Sequence, residues 1–195
     1  MEQLLQAVIE NKPDIVESLM MSGFSLSASD TDVNHHSLLQ IALQNNNISV
    51  ARILVEHKDN LNFNVPGVVE NWELPILHVA IQQAMNASRF PRPEIDGPKN
   101  DGVLFNDYLR LLQEMFDQGA DIHRQDSYGN LPIMRAVLDA LNIDLGIVDE
   151  AFEDDLRAIF KLLIQNGASL REETSNRKSV RQMFTNNAVL TYFPR

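Results

Sequence analysis

A chain of 195 residues, 44% of them hydrophobic, can build one continuous core but not two large domains. It has no cysteine, which excludes disulfides and thiolate metal sites, and no apolar run of about 18 residues, which excludes a membrane-spanning helix. The net charge of −11 is uneven, with 11 basic and 25 acidic side chains over residues 1–170 against five and two over 171–195; such an acidic body repels nucleic acid and attracts a basic protein partner at long range.

The start, Met1-Glu2-Gln3, carries an acid where a signal peptide would carry Lys or Arg. The expected location is therefore cytoplasmic, or a host cell reached without a classical signal peptide. The first apolar pair is Leu4 and Ala7, whose spacing places both on one side of a helix. A second stripe, Ile15-Val16 and Leu19-Met20, ends at Gly23, and glycine closes helices by adopting the left-handed conformation at low cost.

The same order of signals then recurs. Leu39 and Ala42 lead to a stripe over Val50–Val55 and a stop at Lys58, with Asp59-Asn60 to supply the turn. Leu77 and Ala80 lead to Leu111-Leu112, Met115-Phe116 and Gly119. Ile133 and Ala136 lead to Ile159–Ile164 and Gly167. The fourth opening is the plainest: Asp126 can bond nearby backbone, Gly129 can take a positive φ, and Pro132 sits where a helix begins. Self-similarity at this period predicts a stack of helical hairpins, and a stack is first of all a recognition surface.

From the motif alanine to the stop is 16 residues in units one and two, 39 in unit three and 31 in unit four. Units three and four therefore carry insertions of 23 and 15 residues between their two helices. The first, about residues 86–106, holds Pro91, Pro93, Gly97, Pro98 and Gly102 and reads as a loop, with Asn106-Asp107 capping the next helix. The second, about residues 141–155, alternates acidic with apolar residues and is expected to lengthen both helices; its run from Asp149 to Asp155 reads as a solvated helix start.

These motifs resemble those of ankyrin repeats. Gly129-Asn130-Leu131-Pro132-Ile133-Met134-Arg135-Ala136 is similar to the family's Gly-x-Thr-Pro-Leu-His-x-Ala, and Leu77-His78-Val79-Ala80 to its Leu-His-x-Ala. Gly119-Ala120-Asp121-Ile122-His123 and Gly167-Ala168-Ser169-Leu170 resemble its Gly-Ala-Asp-Val-Asn. Gln40 and Met134 depart from the motif His, and Leu38 and Ile76 from the motif Pro. The resemblance implies an all-α ankyrin-repeat solenoid forming a single domain over 1–195. It would have four helix-turn-helix units, near 3–29, 30–64, 70–125 and 126–173, and a C-terminal cap at 174–195 with its helix near 178–186. The degenerate units and insertions look like those of a small stand-alone bacterial member.

The resemblance also implies a non-catalytic adaptor or inhibitor that binds a folded, basic protein along the concave face, as a monomer. The fingers would contribute Val33, Asn34, His36, Asn71, Trp72, Leu74, Ser127, Tyr128 and Asn130, with Gln44, Asn45, Gln82, Gln83, Leu138 and Asp139 behind them on the first helices. Trp72 aligns with Tyr128 and Asn34 in the repeat frame, and aromatics in a polar turn have the character of binding hot spots. His78, at the motif position, is implied to bond a neighbouring turn. His35-His36 lacks a third ligand, so no metal site is expected. No phosphate loop or catalytic motif is present, so neither a cofactor nor an enzyme is expected; a pocket between the insertions is the least favoured reading. Two biological roles suit such an adaptor: an immunity protein that neutralises a toxin, or an effector that captures a host protein.

Overall fold

The computed structural model describes residues 2–23, 36–57, 61, 64–66, 73–92, 95–143 and 149–194. Unit one is α1 (Glu2–Ile9) and α2 (Pro13–Met21); unit two is α3 (Leu38–Gln44) and α4 (Ile48–Glu56). A short ribbon, β1 (Asn64–Pro66) and β2 (Glu73–Pro75), precedes α5 (Ile76–Ala87). A second ribbon, β3 (Pro91–Arg92) and β4 (Ile95–Pro98), precedes α6 (Val103–Asp117). Unit four is α7 (Pro132–Asn142) and α8 (Glu150–Gln165), and α9 (Val180–Met183) with a 3-10 turn (Ala188–Tyr192) closes the chain. Both ribbons are antiparallel and two-stranded, so they decorate an all-α stack.

The helices form two layers. The inner layer runs α1, α3, α5, α7 and then α9, each touching the next; the outer runs α2, α4, α6, α8 and then the 3-10 turn. Within each unit the two helices also pack together, so every helix buries one stripe against both a partner and a neighbour. The motif alanines Ala7, Ala42, Ala80 and Ala136 are all buried at the centre of the inner layer. Their small side chains allow the close approach that a Leu there would prevent. The helix reversals in units one and two fall on Asn11 and Asn46, both left-handed at φ 54° and 56°, a conformation Asn tolerates better than most residues. The amides that follow, of Lys12 and Asn47, donate back to the motif alanine carbonyls at 2.9 and 2.8 Å.

Polar pins fix one unit on the next. Asn47 Nδ2 donates to Val8 O at 2.9 Å, joining units one and two. The buried Tyr108 hydroxyl on α6 reaches Leu43 O at 2.9 Å and Asn46 Oδ1 at 2.8 Å, joining units two and three, and burial raises its pKa above the ordinary phenol value. At the far end Phe193 stacks on Phe160 of α8 with ring centroids 4.1 Å apart. The cap helix expected over 178–186 is shorter, Val180–Met183, and starts on a capping box in which Ser179 and Gln182 bond each other's backbone amides.

The first insertion corrects two expectations. The segment read as a loop holds a short antiparallel ribbon, and α6 starts at Val103, ahead of the Asn106-Asp107 cap expected for it. The N-cap is Gly102, left-handed at φ 86° with Arg89 Cδ 3.1 Å from where a Cβ would stand, and just ahead of it Asp101 Oδ1 accepts from the Val103 amide at 2.9 Å. The hairpin base is fastened across the fold to α8. Arg89 donates to Asp155 from its backbone amide at 2.7 Å, from Nε at 3.1 Å and from Nη2 at 2.6 Å, and Asp155 is buried. Asp155 is therefore not part of a solvated helix start. Phe90 meets Phe152 edge-on, and Lys99 lies over the Phe90 ring. The second insertion does lengthen both helices: α7 and α8 have 11 and 16 residues where α3 and α4 have 7 and 9. Asp149 caps α8 through the Phe152 amide at 2.8 Å.

Arg89→Ala would leave the Asp155 carboxylate buried without its guanidinium. The loss should be about 2 kcal/mol of unfolding free energy by urea denaturation, less than a fully buried pair because Arg89 is partly solvated. A change below about 0.5 kcal/mol, the range of surface substitutions, would show that the hairpin is not held through this pair.

Candidate functional site

The described parts of the turns ahead of α5, α7 and α9 lie side by side, and the turn of unit four shows how they are held. Asp126 is buried, and its Oδ1 accepts from the Tyr128 amide at 2.9 Å and the Asn130 amide at 2.8 Å. Its Oδ2 accepts from Asn130 Nδ2 at 2.8 Å. One carboxylate thus organises five residues of backbone, a use of aspartate that competes with helix and favours turns. The Tyr128 backbone is fixed by this arrangement while its side chain stays outside, and the residue is 52% exposed.

Neighbouring turns clamp this one from both sides. On one side lies the β1–β2 ribbon: the Glu73 amide donates to Ser127 Oγ at 3.0 Å, and the Ser127 amide donates to Glu73 O at 3.2 Å. Asn64 Nδ2 donates to Glu73 Oε2 at 2.7 Å, and Arg124 Nε donates to Asn64 Oδ1 at 2.9 Å. On the other side, Arg177 Nε donates to Tyr128 O at 3.1 Å and Thr174 Oγ1 to Gly129 O at 2.9 Å. Gly129 is left-handed at φ 80°, with Asn176 Cβ 2.9 Å from a would-be Cβ, so no larger residue fits there without moving the next turn. From below, His78 on α5 places Nε2 2.9 Å from Arg124 O; a carbonyl only accepts, so this nitrogen carries the proton. Burial lowers the His78 pKa to about 4, so the imidazole is neutral in the folded chain at pH 7. The bond between neighbouring turns is the role that the motif position implied.

Behind the edge, Gln44, Gln82 and Leu138 each stand two residues after the motif alanine of their unit, Ala42, Ala80 and Ala136. Gln44 is exposed and the other two are half-exposed, so they form a row along the inner layer, one per unit. Asn45 and Gln83 follow them with the same accessibility. His36 is half-buried just ahead of Ser37, which caps α3 through the Gln40 amide at 3.1 Å. The row has a fourth member not singled out from the sequence: Ile9, two after Ala7, is 50% exposed.

Three expected contact residues are not on the surface. Leu74 and Asn130 are each 4% exposed and Asp139 is 7% exposed. Leu74 lies in β2 within the core cluster, and Asn130 spends its amides on Asp126. Asp139 pairs with Arg135 at 3.2 Å, and its own burial raises its pKa against the pull of that arginine. Ser127 is exposed, but its hydroxyl is already committed to Glu73. Val33, Asn34, Asn71 and Trp72 lie outside the described residues.

The outer layer carries a shallow groove of about 460 Å³ between α4 and α6, lined by Ser49, Ile53, Glu56 and Gln118 and bridged by an Arg52–Glu114 ion pair. Among the described residues no three His, Asp or Glu side chains converge as a metal site would require. Compared with known proteins, residues 4–89 match the family model described as ankyrin repeats (3 copies). No curated protein matches the chain.

The depressed His78 pKa gives a prediction. Folded His78 binds fewer protons than unfolded His78 between about 4 and 6.5, so its contribution to stability is complete above about 6.5 and is lost as pH falls toward about 4. Between pH 7 and pH 4.5 the wild type should lose about 2–3 kcal/mol more stability than His78→Gln, the residue that Gln40 represents at the same place in unit two. Urea unfolding at the two pH values measures this, and equal losses would place the pH dependence elsewhere.

Proposed function

We propose that this chain is an ankyrin-repeat protein acting as a non-catalytic adaptor or inhibitor that binds a folded protein along the finger edge and the inner helices. The observation that supports this best is Tyr128, an exposed aromatic whose turn is fastened by Asp126 within and by Glu73, Thr174 and Arg177 from the turns on either side. An anchor held before the partner arrives loses little conformational freedom on binding, which is how a few residues come to dominate an interface. The row of Ile9, Gln44, Gln82 and Leu138 extends the same surface across all four units, with Asn45, Gln83 and His36 beside it. Val33, Asn34, Asn71 and Trp72 are proposed for the same edge on their place in the repeat.

Chemically reactive side chains nearby are spent on structure. His78 holds Arg124 O, Asp126 holds its own turn, and Asp155 holds Arg89. The acid excess of the body, 25 against 11 over residues 1–170, favours a basic partner through long-range attraction. In its finer form the proposal is an immunity protein that neutralises a basic toxin; an effector that captures a host protein would use the same surface.

The test begins with capture of the partner from the source cells, followed by calorimetric titration. Tyr128→Ala should weaken binding by about 2 kcal/mol or more, roughly 30-fold, with an unchanged circular dichroism spectrum. Asp149→Asn, at the start of α8, should alter only the salt dependence. A partner indifferent to Tyr128→Ala but lost when the 95–98 strand is shortened would move the site to the insertion edge.

A further inference from the structure

The turn just ahead of α9 holds the residues that fasten Tyr128. It closes on itself: the Thr174 amide donates to Arg177 O at 3.0 Å, and the Arg177 amide donates to Thr174 Oγ1 at 3.1 Å. The same hydroxyl donates to Gly129 O, and Arg177 Nε donates to Tyr128 O. The Arg177 stem passes beside Gly129, its Cγ 3.6 Å from where a Cβ would stand, so the absent side chain of Gly129 leaves it room. Backbone, stem and Nε of Arg177 are therefore all held before a partner arrives.

The outer end of the guanidinium is left over. Arg177 is exposed, and so is Lys178 beside it. Among the described residues neither pairs with a carboxylate. The acids of the same turn are engaged elsewhere: Glu172 Oε1 lies 2.9 Å from His123 Nδ1, and Glu173 Oε1 accepts from Gln182 Nε2. They remain charged, so the cationic area is narrow and is confined to Arg177 and Lys178. The crevice beneath, bordered by Gly129, Thr174 and Lys178, has a volume of about 10 Å³, room for about one water, so it encloses no ligand and recognition lies on the surface. Tyr128, 52% exposed, gives its carbonyl to this arginine. An aromatic side chain and a cationic fork are thus presented by two residues bonded to each other.

We propose that this corner of the finger edge receives a carboxylate from an acidic segment of the protein partner, taken end-on by the two Nη groups of Arg177, with Lys178 adding charge and Tyr128 packing on the segment alongside. The inference rests on the finger edge being the binding surface. Arginine suits the role because its planar fork matches a carboxylate with two parallel bonds, and this one, tethered by Nε, has little freedom left to lose. The acidic body sharpens the choice of place. With 25 acids against 11 bases over residues 1–170, the body turns an acidic segment away and toward this corner. A basic partner bearing one such segment would dock in a single direction along the stack, because the reverse direction sets its acids against those of the body.

Nitrogen-15 NMR of the full chain at about 50 mM salt tests this with two capped peptides, one alternating glutamate with serine and the other glutamine with serine. The glutamate peptide should shift the Tyr128, Arg177 and Lys178 signals saturably, with a Kd on the order of 1 mM, and the glutamine peptide should not. Arg177→Gln should weaken the glutamate peptide at least about fivefold. Arg177→Lys, which keeps the charge and loses the fork, should fall between that variant and the wild type. Lys178→Gln, at a side chain that makes no bond to the turn, should weaken it about twofold with the fold untouched. The titration needs no natural partner, so its failure leaves the finger-edge reading to its own Tyr128→Ala test. Absence of a saturable shift at these three residues would overturn the proposal, as would equal shifts from the glutamine peptide or from sodium sulfate at the same ionic strength. An Arg177→Gln variant that binds the glutamate peptide as the wild type does would overturn it too.

Discussion

Four buried alanines set the spacing of the molecule. No helical pair here can bury both of its apolar stripes alone, because α1 with α2, or α3 with α4, has a second face that only the next pair can cover. Ala7, Ala42, Ala80 and Ala136 let the inner helices approach closely enough for that covering to be complete. Stability is then shared between neighbours, and each polar pin across a boundary acts on an interface already dry. Tyr108 and Asn47 illustrate the point: each finds a backbone carbonyl of the preceding unit, and each would leave a buried group unsatisfied if the units separated.

The order of the finger edge is inherited from this packing. His78 lies in the core of α5, yet its outward nitrogen fixes Arg124 in the next turn. Asp126, buried beneath that turn, orients Tyr128 and Asn130, and the flanking turns bond to it through Ser127, Tyr128 and Gly129. A rigid edge therefore emerges from residues with little regular secondary structure of their own. The insertions obey the same logic on the opposite edge, where Arg89 and Asp155 bring a hairpin of unit three onto the long outer helix of unit four.

The repeat frame was legible because it is local. Motif spacing and left-handed glycine stops fall within a few turns of helix, and Gly23, Gly119 and Gly167 are indeed left-handed. The two insertions were legible as lengths, since a delayed stop needs only counting. What the first insertion does was not legible: Arg89 and Asp155 are 66 residues apart, and neither carries a local sign of the other. Turn positions were ambiguous for a different reason. Asn130 and Tyr128 are both ordinary turn residues, and only the fold distinguishes the one that holds the turn from the one that faces solvent. Leu74 and Asp139 failed as surface residues for the same cause, since burial depends on neighbours distant in sequence. Ile9 was readable from the frame, since it stands two residues after Ala7 as Gln44, Gln82 and Leu138 stand after their alanines.

The central claim is that the inner helices and finger edge form one prearranged binding face. Amide hydrogen exchange of the chain with and without its captured partner tests this most directly. The account predicts added protection in peptides covering 76–83, 124–130 and 132–138, with α6 and α8 unchanged. Protection confined to residues 103–117 and 150–165 would place the partner on the outer layer and contradict it.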